Sequence, residues 1–170
     1  MRTFLRSTVV TGFIALMLLA VSAPAQAASY PSYKNKKTGQ CLEGQARDTW
    51  SVSAYTCDGN SAQDWEVESR PQKGTKNDVV KLRNVKYNRC MDSKAGKDDS
   101  VFYNVSCNTG DYQLWEVFYN SNGTRTFKSW GAWTKQGLHL CLSDNPKSTI
   151  YAPLLKTCNR NSALQQWSKV

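Results

Sequence analysis

A cysteine, a second cysteine 16 or 17 residues further on, and then Gln-x-Trp: the chain runs through this pattern three times. The copies are Cys41…Cys57…Gln63-Asp64-Trp65, Cys90…Cys107…Gln113-Leu114-Trp115 and Cys141…Cys158…Gln165-Gln166-Trp167. Trp65 and Trp115 lie 50 residues apart, Trp115 and Trp167 52. Self-similarity at a fixed period marks a repeat architecture. All six cysteines and three of the six tryptophans fall on the repeat. A single unit of this size cannot bury its own apolar face, so the three are expected to share one core about a pseudo-threefold axis.

The chain opens with Arg2 and Arg6, an apolar run from Val9 to Val21, and then Ala25-Gln26-Ala27. These are the three regions of a secretory signal peptide. The run is broken by Thr11 and Gly12 and falls short of the ~20 residues a bilayer-spanning helix needs. Residues 1–27 are therefore read as a leader and 28–170 as one domain, with a secreted product and no membrane span. Cleavage lowers the formal charge from +9 to +7 and leaves 143 residues. Six evenly placed cysteines in a secreted chain imply disulfides. The repeat selects one staple per unit: Cys41–Cys57, Cys90–Cys107 and Cys141–Cys158. A zinc site wants Cys pairs two to four residues apart or interleaved histidines, and the sequence has neither, so no metal or other cofactor is expected.

After residue 28 no stretch holds a helical period over three turns. Short strand-like runs, such as Val79–Val85, Val101–Val105, Trp115–Tyr119 and Thr126–Trp130, alternate with Gly, Asn, Asp and Ser. This is the signature of an all-β sandwich or barrel. Trp65, Trp115 and Trp167 are expected to meet in its core, with Gln63, Gln113 and Gln165 tying backbone turns, since a buried amide needs partners. Gly39, Asn88 and His139 each stand two residues before a unit's first cysteine and are read as turn residues tolerant of left-handed backbone. That reading makes the single histidine a poor candidate base. Trp130 and Trp133 are expected to extend the core, the alternative being a stacking platform.

The three units together resemble the ricin-type β-trefoil lectins, whose units carry a Cys-Leu-Asp-like start, a second cysteine and a Gln-x-Trp close. The resemblance covers roughly Tyr33 to Ser168, with repeats at about 33–70, 80–120 and 126–170. It implies an all-β β-trefoil and a non-catalytic carbohydrate-binding role. The second unit, Cys90-Met91-Asp92-Ser93 followed by Phe102-Tyr103-Asn104-Val105-Ser106-Cys107-Asn108-Thr109-Gly110-Asp111-Tyr112-Gln113-Leu114-Trp115, is similar to the actinohivin-type, mannose-binding branch, with a longer loop between Asp92 and Tyr103.

A neutral sugar presents vicinal hydroxyls and an apolar C–H face. Its site needs a carboxylate acceptor, an amide or phenol, and a wall. The second unit offers Asp92 as acceptor, Asn108, Tyr112 and Gln113 as partners, and Tyr103 and Val105 as wall. The first unit departs: Glu43 replaces the Asp, Asp58 and Ala62 stand where Asn108 and Tyr112 do, and Tyr55 and Trp50 supply aromatics. Glu43 and Tyr55 are its weaker candidates. The third has Ser143 at the Asp position with Asp144 one residue late, and Lys156 and Leu164 for wall and phenol, although Asn159 is kept. Two altered units leave a second reading open, an interaction module (inhibitor or adaptor) in an extracellular assembly with a secreted protein partner. The positive charge raises an anionic partner. The densest basic stretch is only Lys34-Asn35-Lys36-Lys37, so nucleic acid is not expected. Catalysis wants a nucleophile beside a base or two flanking carboxylates. Asp92 with Asp98 or Asp99 is the one dense acidic group, and it lies on a single loop. Sequons occur at Asn104 and Asn122.

Overall fold

The computed structural model describes residues 29–46, 52–94, 103–147 and 152–170. The segment read as a leader and Trp50 lie outside the described residues. Each repeat contributes four strands. The first supplies β1 (Tyr33–Asn35), β2 (Gln40–Glu43), β3 (Ser53–Thr56) and β4 (Trp65–Ser69). The second supplies β5 (Asp78–Asn84), β6 (Arg89–Asp92), β7 (Tyr103–Ser106) and β8 (Leu114–Tyr119). The third supplies β9 (Arg125–Ser129), β10 (Leu140–Ser143), β11 (Leu154–Thr157) and β12 (Trp167–Lys169). The second and third strands of each unit form a hairpin in matching register: Cys41 opposite Tyr55, Cys90 opposite Val105, Cys141 opposite Lys156. The outer strands build the barrel through antiparallel pairs β4–β5, β5–β8, β8–β9, β9–β12 and β12–β1. This is an all-β β-trefoil. It carries the three expected disulfides, one per repeat.

The reason for the repeat is visible at its close. Trp65, Trp115 and Trp167 are each fully buried in one cluster with Leu42, Met91, Leu142 and Phe127. Each indole N–H donates to a carbonyl of its own unit's second strand: Leu42 at 3.1 Å, Met91 at 3.1 Å and Leu142 at 3.3 Å. The apolar body fills the core while the one polar atom stays bonded, as burial demands.

One element departs from the all-strand reading. The β9 strand ends at Ser129, where a helix, α1 (Trp130–Gln136), begins. Ser129 accepts from the Ala132 N–H at 3.1 Å, an N-cap bond, and Gly137 closes the helix at φ 70°. Two turns are too short to show as periodicity. The left-handed position before the first cysteine is held by Gly39 and Asn88 in the other units, as expected. In the third unit Gly137 takes it, because the helix needs its C-cap there, and His139 is not left-handed. Trp130 is buried with Val79 and Leu114 in a second, smaller cluster, and Trp133 packs edge-on against it at 4.9 Å. The pair extends the core.

Beside it lies a buried ion pair. Glu116 and Lys128 face each other across β8–β9 at 2.8 Å, and Thr75 (2.6 Å) and Asn77 (2.8 Å) donate to the other carboxylate oxygen. The Lys128 ammonium also sits 4.1 Å from the Trp133 ring. Burial alone would push the Glu116 carboxyl up. The hydrogen bonds from Lys128, Thr75 and Asn77 outweigh it and hold the group below the ordinary glutamate range.

Two expectations follow. Trp115→Ala should cost about 3–5 kcal/mol, the usual price of emptying a fully packed aromatic site; an unchanged midpoint in a urea melt would contradict the core assignment. Glu116 has a lowered folded-state pKa, so its contribution is complete above the unfolded-state value and is lost as pH falls through the folded one. Glu116→Gln should cost about 3 kcal/mol at neutral pH, where it strands a buried ammonium. It should also flatten the acid limb of a stability–pH curve, and an acid limb identical to wild type would refute the assignment.

Candidate functional site

Three backbone bonds fix what is equivalent to what. The N–H groups of Gly44, Ser93 and Asp144 donate to the carbonyls of Ala62, Tyr112 and Leu164 at 2.8–2.9 Å. Glu43, Asp92 and Ser143, each one residue earlier, therefore occupy one position in three copies. Opposite them run short 3-10 turns, Ser61–Gln63, Asp111–Gln113 and Ala163–Gln165. Each glutamine there is buried. Its carbonyl accepts from the N–H of Asp58, Asn108 or Asn159, and its amide donates to the carbonyl of Thr56, Ser106 or Thr157, all at 2.7–3.1 Å. The expected tie is thus present three times. Gln113 is consequently a positioning residue rather than a contact residue, because its amide is spent on backbone out of solvent reach.

In the second repeat Asp92 stands half-buried at the end of β6. One oxygen accepts from the Lys94 N–H at 2.6 Å; the other makes no hydrogen bond to a described residue. Asn108, exposed, accepts from the Gly110 N–H at 2.7 Å, which fixes the side chain and leaves its amide donors without a described partner. Val105 is half-buried opposite Cys90. Tyr103 pairs with Asp92 in the strand register, and its side chain lies outside the described residues.

Tyr112 is half-buried, and its surroundings come from another repeat. Helix α1 lies along the turn that carries it. A Cβ at Gly131 would sit 2.5 Å from the Tyr112 ring and 2.7 Å from its backbone nitrogen, so only glycine permits this approach. Gln136 donates to the Tyr112 hydroxyl at 3.3 Å, Lys135 pairs with Asp111 at 3.0 Å, and the hydroxyls of Ser93 and Ser129 meet at 2.7 Å. Sequence reasoning missed Gly131, Lys135 and Gln136. The available signal was spacing: five residues separate Asn35 from Gln40 and Asn84 from Arg89, whereas eleven separate Ser129 from Leu140.

The other two copies differ in what the acceptor touches. Glu43 turns back on its own unit, where one oxygen accepts from Gln63 (3.0 Å) and Asn60 (3.5 Å). Tyr55 remains exposed on the neighbouring strand. In the third copy Ser143 donates to the Asp144 carbonyl, and Asp144 is buried, accepting from the Thr38 hydroxyl of the first repeat and from the Asn145 N–H at 2.8 Å. A cavity of about 270 Å³ opens there, lined by Leu154, Lys156 and Leu164 among others, with no carboxylate free to face it. Asp92 and Glu43 thus each keep one carboxylate oxygen without a described partner, but only Asp92 makes no bond to a side chain of its own unit; Glu43 is braced by Gln63 and Asn60, and both oxygens of Asp144 are taken.

If this division between scaffold and contact surface is right, Gln113→Ala should lower stability by about 1–3 kcal/mol, since it strands the Asn108 N–H and the Ser106 carbonyl. Asp92→Ala should cost under ~1 kcal/mol. Chemical denaturation of both variants checks the order, and the reverse order would overturn it.

Comparison with known proteins adds the following. The family model described as "Ricin-type beta-trefoil lectin domain" matches residues 31–167. No curated protein matches the chain. Among solved structures it is similar to a designed three-fold symmetric protein, ThreeFoil (TM-score 0.71, 19% identity, 84% of this chain and 99% of that one). It is also similar to part of an exo-β-1,3-galactanase from Clostridium thermocellum (TM-score 0.67, 19% identity, 84% of this chain and 30% of that one). A third similar structure is a Polyporus squamosus lectin bound to Neu5Acα2-6Galβ1-4GlcNAc (TM-score 0.63, 14% identity, 85% and 50%). At these identities the likeness is one of fold.

Proposed function

The chain belongs to the ricin-type β-trefoil lectin family, and from that premise we propose that it is a secreted, non-catalytic carbohydrate-binding protein. It engages glycans mainly through its second repeat, in the manner of the mannose-binding branch which that repeat resembles. The observation that carries the reading is the open oxygen of Asp92 on a strand end that is bonded, through the next residue, to the turn carrying Tyr112, a turn to which Gln113 also ties Asn108 with its fixed amide. A carboxylate accepting from two vicinal hydroxyls is the strong, charge-assisted contact a sugar site needs. The amide serves a third hydroxyl, and Val105 with Tyr112 offers apolar surface to the ring. The lectin bound to a sialylated trisaccharide and the galactanase among the similar folds support a glycan ligand.

Secretion is supported by the leader and by three disulfides, which persist in oxidising compartments. A non-catalytic role is supported by the fate of the nucleophiles and bases. The cysteines are in disulfides, and His139 is an exposed residue whose ring neighbour is Trp133 at 6.3 Å.

A second reading, an interaction module with a secreted protein partner, draws on the first and third repeats, whose carboxylates are turned onto the protein itself. A glycan-array screen separates the two. Array binding that falls ten- to a hundredfold in Asp92→Ala, the loss of a hydrogen bond to a charged group, is the expected result. Binding indifferent to Asp92→Ala would move the site elsewhere, and silence of a folded protein on a broad array would favour the protein partner.

A further inference from the structure

A second polar cleft lies away from Asp92, between the β8–β9 turn and the loop that follows Cys158. It has a volume of about 410 Å³ and is lined by Asn120, Ser121, Asn122, Arg160, Asn161 and Gln166. Arg160 is held in place. Its Nε donates to the Asn120 side-chain oxygen at 3.1 Å, one Nη donates to the Tyr119 carbonyl at 3.0 Å, and the guanidinium lies 5.1 Å from the Phe118 ring centroid. Both acceptors are neutral. Among the described residues no carboxylate pairs with Arg160. The guanidinium is thus oriented by its neighbours while its charge is left for something else. That matters because Arg binds a carboxylate through a rigid fork of donors.

The rest of the cleft is neutral and largely pre-set. Asn122 donates to Gln166 at 3.1 Å, Gln166 donates to the Arg160 carbonyl at 2.6 Å, and Asn120 is tied to Thr124 and Thr126. The side chains of Ser121 and Asn161 make no hydrogen bond to a described residue and face a ligand with one hydroxyl and one amide. The corresponding cleft of the second repeat, between β4–β5 and the loop after Cys107, provides a contrast. Its exposed Arg70 and Arg83 are neutralised by Glu68 and Glu66, and its remaining cation, Lys81, is buried and donates to the Asn108 carbonyl. In one repeat the exposed cations of this region are paired with carboxylates; in the other the exposed Arg160 pairs with no described carboxylate.

We propose that the Arg160 cleft is a second saccharide site, specific for a sugar acid. The carboxylate docks on the Nη N–H groups of Arg160 that Asn120 and Tyr119 leave free, and the sugar hydroxyls bond to Asn161 and Ser121. Such a site is independent of Asp92. It would also give one chain two contact points on a polymer carrying both neutral and acidic residues, and linked contacts raise avidity without new chemistry.

The test uses the full secreted protein without glycan at the Asn122 sequon, titrated calorimetrically with a glucuronate-terminated oligosaccharide, its methyl ester and inorganic phosphate. The expected result is saturable binding of the acid, at least tenfold weaker binding of the ester, and loss of the acid's affinity in Arg160→Gln and Arg160→Lys. Asp92→Ala should bind the acid as wild type does, which separates this site from the one proposed above. Absence of binding by the wild-type protein, equal binding of acid and ester, or acid affinity unchanged in Arg160→Gln would each overturn the proposal. So would phosphate binding as tightly as the acid, since the cleft would then hold any small anion. A carboxylate-rich peptide competing at the same affinity would likewise replace the sugar with a protein ligand.

Discussion

Everything in this molecule hangs from the paired burial of a glutamine amide and a tryptophan indole at the close of each repeat. Neither group can enter a core with its polar atoms unmatched, because an orphaned donor or acceptor costs about 1–3 kcal/mol. The glutamine meets that demand by bridging the third strand to the loop beyond the second cysteine, and the indole by reaching the second strand. The closing segment is thereby pinned to both strands of its hairpin, and the disulfide ties the same hairpin again. Each staple closes a loop of 16 or 17 residues, worth about 3 kcal/mol in the chain-entropy account. Three locally pinned units can then pool their tryptophans in one core.

This economy restricts where recognition can occur. With the glutamines and tryptophans committed inward, the second unit presents Asp92 at the end of its second strand, Asn108 after its second cysteine and Tyr112 before its glutamine, whereas Ser143 and Ala62 are buried at the equivalent positions of the third and first units. The three copies part ways through side-chain reach. The longer Glu43 folds one oxygen back onto the side chains of Gln63 and Asn60, whereas the shorter Asp92 stops at its own turn, accepting, among the described residues, only from the Lys94 N–H. In the third copy the acid shifts one residue along, and Asp144 becomes a stitch to Thr38 across the repeat boundary. One carboxylate has become a contact group, one a local brace and one a link between repeats.

The repeats are also coupled where symmetry breaks. Helix α1 belongs to the third unit by sequence, yet it packs on the second unit's turn and is anchored by the cluster of Trp130, Trp133 and the Glu116–Lys128 pair. The orientation of Tyr112 therefore depends on residues some twenty positions downstream. A surface that looks like one repeat's property is shared between two.

The chain's own order of residues determined the threefold period, the disulfide pairing, the buried tryptophans, the glutamine ties and the all-β class, because each rests on a local rule repeated three times. Asp92 and Asn108 were legible for the same reason, as fixed offsets from a cysteine. The helix was not. The β4–β5 connection is longer than the β8–β9 turn, so Trp65 to Cys90 and Trp115 to Cys141 span 25 and 26 residues, and the extra residues before Leu140 leave no mark on the period. Nor could offsets show that Gln113 faces inward, that Glu43 and Asp144 are already bonded, or that Arg160 pairs with no carboxylate among the described residues. Those outcomes depend on which groups from distant segments come within hydrogen-bond reach of one another, and only tertiary packing sets those distances.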